Sequence, residues 1–156
     1  MSPAKQPVLL CYDGSDDAKH AIEHAGELLS GDALVVTVWQ RVIYVLGGFG
    51  AASMAPPADT REIDEDVERV CKRTAAEGAE RARAAGFDAE GVTVEATGPI
   101  WNTVLEFADE RDASVIVLGS RGLSGFKSLM LGSVSHGVAQ HAHRPVLVVP
   151  PAGEDD

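Results

Sequence analysis

The chain has 156 residues, 45% apolar and 24% charged, with a formal net charge of −11. This is a globular composition of a size that fills one domain, 1–156. The acidity excludes binding to a nucleic-acid backbone, which needs clustered Lys and Arg, and attraction to an anionic membrane surface. Cys11 and Cys71 show no CxxC or zinc spacing, and no apolar run suits a signal peptide or a bilayer span. The expectation is a reduced protein of the cytoplasm without membrane insertion.

Residues 7–12, PVLLCY, are a short continuous apolar run, the pattern of a strand buried on both faces. The following DGS turns the chain, with Ser15 as N-cap and Asp16 and Asp17 suited to the positive end of a helix. Ala18, Ala21, Ile22, Ala25, Leu28 and Leu29 recur at helical spacing, and Gly31 is expected to close that helix as its C′ residue. ALVVTVW (33–39) reads as a second buried strand. Residues 41–61 break the rhythm with Gly-Gly, Gly and Pro-Pro among large apolar groups, and predict a long mobile loop, a lid or a contact surface.

A charged helix is expected over 61–86, its buried stripe made by Ile63, Val67, Val70, Cys71 and Thr74. GVTVEAT (91–97) alternates as a strand, and Gly98-Pro99 opens a helix with Pro near its first position. Ile100, Val104, Leu105 and Ala108 form the inner face of that helix. ASVIVLG (113–119) is a further buried strand, followed by the glycine-rich GSRGLSGFKSLMLGS (119–133), a helix from Ser133 to about His143 and a last strand, PVLVV (145–149). Strands that alternate with helices demand an α/β fold: an open, twisted, parallel five-stranded sheet with helices on both faces, in three layers, joined by right-handed crossovers.

In such sheets ligands bind beyond the carboxyl ends of the strands, where the strand order reverses. Asp13 follows the first strand and Gly119 closes the fourth, so neighbouring strands would put them on one crevice. Gly119, Gly122 and Gly125 permit positive φ and close backbone approach, the makings of an anion nest. The loop then delivers Ser133 to a helix N-terminus, where unpaired N–H groups and the dipole favour an anion. Arg121 and Lys127 add positive charge, and Mg²⁺ would neutralise the rest of a phosphate chain. No GK[ST] makes this a Walker A loop, and glycines after the fourth strand are no dinucleotide fingerprint. The plainer reading of the same residues is a loop with a serine helix cap.

Gly119-x-x-Gly122, nine residues and Gly132-Ser133 resemble the G-2x-G-9x-G-[ST] signature of the universal stress protein family. VLLCYDGSDDAKHAIEHAGELL resembles the family's first strand and helix, LVVTVW its second strand, and LGSVSHGVAQHAHRPVLVVP its last helix and strand; only 41–61 has no counterpart. The resemblance implies a Rossmann-like sheet of the adenine nucleotide α-hydrolase type in the order 3-2-1-4-5, a homodimer, and ATP, with Mg²⁺, as ligand. It implies that Asp13 meets the ribose or adenine end, that the backbone of Cys11 and Tyr12 lines the adenine slot, and that Val38 packs on the base. Gly98 would border the ribose. Gly119, Ser120, Arg121, Gly122, Gly125, Gly132, Ser133 and Val134 would hold the phosphates. The implied role is a stress-response regulator that switches with its nucleotide and acts on a protein client the sequence does not name.

Other patterns point elsewhere and are weaker. HAIEH (20–24) fits a zinc-protease expression, but His20 and His24 lie opposite the apolar face of their helix. His136, His141 and His143 read as surface residues, and Trp39 and Trp101 as packing groups. Hydrolysis would need a positioned base and a charge clamp, and no base faces the γ-phosphate, so binding with little or no turnover is expected. The alternatives are an ATP-hydrolysing or nucleotidyl-transferring enzyme on the same scaffold, and a nucleotide-free interaction protein. In the implied order the last strand, Pro145 to Val149, is an apolar edge, and pairing with its own copy across a two-fold axis would cover it.

Overall fold

Residues 6–43, 60–120 and 131–152 are described by the computed structural model. Among them five strands run parallel: β1 (Val8–Cys11), β2 (Gly31–Gln40), β3 (Phe87–Ala96), β4 (Val115–Gly119) and β5 (Val146–Val149). Their order is β3-β2-β1-β4-β5, as the resemblance implied. Four helices connect them: α1 (Asp16–Leu28), α2 (Arg61–Ala84), α3 (Ile100–Glu110) and α4 (Ser133–His141). No helix among the described residues is long and apolar enough to cross a membrane.

The continuous apolar run of β1 has a simple cause: the strand is central, and both of its faces are covered. Val8, Leu10 and Tyr12 join the core under α1 and α2, whereas Leu9 joins the core under α3 and α4. Leu9 and Leu10 are fully buried, and burial of each side chain contributes roughly 1.5–3 kcal/mol. At the start of α1 the Ser15 hydroxyl accepts from the Ala18 N–H at 3.2 Å, the cap that the DGS turn predicts.

Two local expectations are corrected. Leu28 is 60% exposed, and Leu29 packs on the core in its place. Gly31 does not close α1: Leu29 is the C-cap in extended backbone, and Gly31 (φ 103°) opens β2. The left-handed glycine after a helix is instead Gly86 (φ 106°), which follows the Ala85 cap of α2. Pro99 stands at the N-cap of α3, next to its first position as expected, and on that helix Leu105 packs against the core while Phe107 is also buried.

The largest correction concerns α2. Ile63 and Val70 of the expected stripe are 49% and 55% exposed, and the buried residues are Asp64, Ala75, Gly78, Ala79 and Ala82. A Cβ at Gly78 would stand 2.6 Å from Tyr12 Cδ1, and one at Gly91 of β3 would stand 2.6 Å from the Ala75 carbonyl oxygen. Small residues let the helix backbone approach the sheet this closely, and large aliphatic ones on that face would push it away. Asp64 is buried because its carboxylate accepts from the Val42 N–H at 2.9 Å and from the Thr60 hydroxyl at 3.1 Å. Of the loop expected over 41–61, residues 44–59 lie outside the described residues.

Candidate functional site

β1 lies between β2 and β4, so the connections leaving β1 and β4 diverge at their carboxyl ends and open a cleft. The cleft measures about 230 Å³. Cys11, Tyr12 and Asp13 form its floor, with Val36, Val38, Ile100, Val104 and Leu118 as an apolar wall, and Gly119 and residues 132–135 as its far end. The cleft is thus an apolar slot with polar groups at its ends.

The floor follows from unequal strand lengths. Pairing of β1 with β2 stops at Cys11 and Val36, whereas β2 runs on to Gln40, paired with β3 alone. The Tyr12 N–H donates to the Val36 carbonyl at 2.9 Å, and the Thr37 hydroxyl donates to the Tyr12 carbonyl at 2.8 Å. Backbone groups alternate sides along a strand, so the N–H and C=O of Val38 point the same way as the Val36 carbonyl, past the end of β1. The Val38 backbone therefore stands at the edge of the slot, beside the Tyr12 carbonyl and beyond the last β1 pair. A sequence shows side chains and not main-chain direction, so this placement was not foreseen there.

Tyr12 contributes backbone only. Its ring lies in the opposite core against Gly78, and its hydroxyl donates to Glu77 at 2.9 Å. Burial pushes the Cys11 thiol up to about 12, and the charge of Asp13 adds to the shift, so the thiol stays neutral and is no nucleophile at neutral pH. Asp13 is exposed and accepts from the Ser15 N–H at 2.9 Å, which fixes the turn into α1.

At the far end Gly132, not Ser133, is the N-cap of α4, and Ser133 is the first helical residue. The Gly132 N–H donates to the Ser120 carbonyl at 2.7 Å. The first intrahelical bond runs from the His136 N–H to the Gly132 carbonyl at 2.8 Å. The N–H groups of Ser133, Val134 and Ser135 precede that bond and are the donors a helix start leaves without intrahelical partners. Beside them Gly119 is closely approached: a Cβ there would lie 3.1 Å from the Asp17 carbonyl oxygen, a tight contact.

Of the residues singled out in the sequence, Cys11, Tyr12, Asp13, Val38, Gly119, Gly132, Ser133 and Val134 line this one cleft. Ser120 and Gly98 do not. The Ser120 carbonyl is occupied by α4, and the exposed Gly98 accepts from Gln40 Nε2 at 3.1 Å. Arg121, Gly122 and Gly125 lie outside the described residues. Val36, Ile100, Val104, Leu118 and Ser135 also line the cleft but were read only as core or helix. His20 and His24 sit 6.0 Å apart on the outer part of α1, and among the described residues no group of three or more His, Cys, Asp or Glu side chains could hold a metal ion.

The sequence model of the universal stress protein family matches residues 5–150. The chain belongs to that family. Universal stress protein YxiE of Bacillus subtilis is 32% identical over 145 residues, covering 91% of this chain and 97% of that protein. The structure of MJ0577, from Methanocaldococcus jannaschii, matches with a TM-score of 0.74 at 22% identity, over 96% of this chain and 98% of that one, a likeness of fold. A universal stress protein crystallised in complex with cAMP matches with a TM-score of 0.62 at 27% identity, over 96% of this chain and 100% of that one. In this universal stress protein the described signature residues Gly119, Gly132 and Ser133 stand together at one end of the cleft.

Proposed function

We propose that this universal stress protein binds an adenine nucleotide, ATP with Mg²⁺, in the cleft and acts as a nucleotide-dependent regulatory switch with little or no turnover. The observation that carries the reading is the polarity of the slot. One end carries the backbone of Val38, beyond the last β1 pair, and the other the amides that start α4, with apolar wall between them. The edge of adenine carries a ring nitrogen that accepts and an amine that donates, the complement of Val38. The helix start favours phosphate. The complex of a related universal stress protein with cAMP supports the same ligand class.

In this reading the backbone of Cys11 and Tyr12 lies under the base and Asp13 reaches the ribose. Ser133 and Val134 donate to phosphate oxygens, with Gly119 and Gly132 letting the chain approach. Ser120, Arg121, Gly122 and Gly125 complete the phosphate loop, and Gly98 borders the ribose side. Asp13 is the one carboxylate among the described lining residues, so Mg²⁺ would take its oxygens from phosphate and water. The neutral Cys11 thiol and the turn-bound Asp13 leave the described cleft without a base at the phosphate end. The partly buried Val146 and Val148 of the β5 edge suit a homodimer, whose surface would report the nucleotide state to a protein client.

Titration calorimetry with ATP and Mg²⁺ tests the reading on the wild type and on Ser133→Glu. The new carboxylate favours the helix dipole, so the fold is kept, but it occupies the anion position. Wild-type binding and a loss of about tenfold or more in the variant are expected, as for one charge-assisted contact replaced by repulsion. No heat from the wild type, with no nucleotide released on denaturation, would sink the proposal and favour an interaction protein. Release of ADP or a nucleotidyl product at a steady rate would favour the enzyme.

A further inference from the structure

Ser133 and Ser135 are two residues apart and have opposite fates. Ser133 is exposed, whereas Ser135 is 2% exposed. The Ser135 hydroxyl donates to the Ser120 carbonyl at 2.8 Å, with the Gly132 carbonyl 3.1 Å away as a second acceptor. A serine near a helix start often bonds the carbonyl three residues back, which accounts for Gly132. It does not account for Ser120, 15 residues upstream across the glycine loop.

Ser120 is itself anchored. Its N–H donates to the Val149 carbonyl of β5 at 3.0 Å, and its carbonyl takes both the Gly132 N–H at 2.7 Å and the Ser135 hydroxyl. The sheet is thereby joined to the first turn of α4 through one residue. Gly132, the N-cap, has no side chain to hold that turn, and no side-chain cap is made. The direction of the Ser133, Val134 and Ser135 amides therefore depends on the tie at Ser120.

We propose that Ser135 is a positioning residue for phosphate: its hydroxyl fixes the two ends of the glycine loop so that the α4 amides face the cleft before the ligand arrives. The proposal rests on the nucleotide reading above. It assigns Ser133 and Ser135 separate tasks, the first offered to the ligand and the second withdrawn from it.

Ser135→Ala is the test, with Ser135→Thr restoring the hydroxyl. The Ser120 carbonyl keeps its Gly132 bond in the alanine variant, so no buried acceptor is orphaned and the variant folds. Calorimetry is run with ATP and with adenosine, and exchange of the Gly132 amide is followed without ligand. ATP affinity falls about tenfold in Ser135→Ala, adenosine affinity stays within about twofold, and Ser135→Thr regains ATP. Gly132 exchange accelerates about tenfold or more as the tie loosens. If ATP affinity in Ser135→Ala is unchanged, or if ATP and adenosine weaken together, the positioning role is overturned while the nucleotide reading stands. A wild type that binds neither ligand overturns both.

Discussion

Gly137 and Trp101 hold α4 against α3: a Cβ on Gly137 would stand inside the van der Waals surface of the Trp101 indole. The same indole stacks on His141, with ring centroids 4.3 Å apart and planes 13° from parallel. The Trp101 ring is thus fixed against two positions of α4. Alanine at 137 would gain about 1 kcal/mol of helix propensity. Overpacking costs roughly 1–3 kcal/mol, and a flanked ring has little room to yield, so the clash wins. Gly137→Ala is expected to lose stability, up to about 2 kcal/mol net, in urea denaturation. A gain in stability would mean that the helices separate freely there.

Stability should fall with rising pH in the alkaline range. Burial raises the Cys11 thiol from 9.0 to about 12, with Asp13 adding to it. Burial, then the hydrogen bond and charge of Glu77, raises the Tyr12 hydroxyl from 10.0 to about 12. Between these values the unfolded chain releases protons that the folded chain keeps, so stability is full below pH 9.0 and declines towards about 12. Urea midpoints measured on both sides of that threshold check the sign, and Cys11→Ala should flatten part of the decline. A midpoint that stays level would mean that the folded protein ionises as readily as the unfolded one.

The β5 edge gives a prediction for assembly. The Ser120 N–H donates to the Val149 carbonyl, so alternation turns the backbone groups of Val148 away from β4 towards the outside of the sheet. Val148→Pro removes an outward donor and leaves the ladder with β4 in place. The variant is expected to fold and to elute as a monomer in size-exclusion chromatography with light scattering, beside a dimeric wild type. A dimeric variant would place the interface elsewhere.

The alternation of elements was legible because each buried strand is an uninterrupted apolar run, and the α1 cap because Ser15 follows a turn and precedes two aspartates. The face of α2 was not. Gly78, Ala75 and Ala79 are chosen for lack of bulk, which a search for large apolar residues passes over in favour of Ile63 and Val70. In the cleft, side-chain patterns marked Asp13 and the glycine signature. The place of the Val38 backbone at the slot is a main-chain property that follows from β2 outrunning β1. Ser133 and Ser135 look alike as letters, and only the path of α4 over Ser120 separates them.

Asp64 has one further consequence, for engineering. Its two oxygens reach Val42 and Thr60, so one carboxylate joins the two stems of the segment between them. A graft or deletion made between Val42 and Thr60 should therefore keep Asp64 as its fixed point.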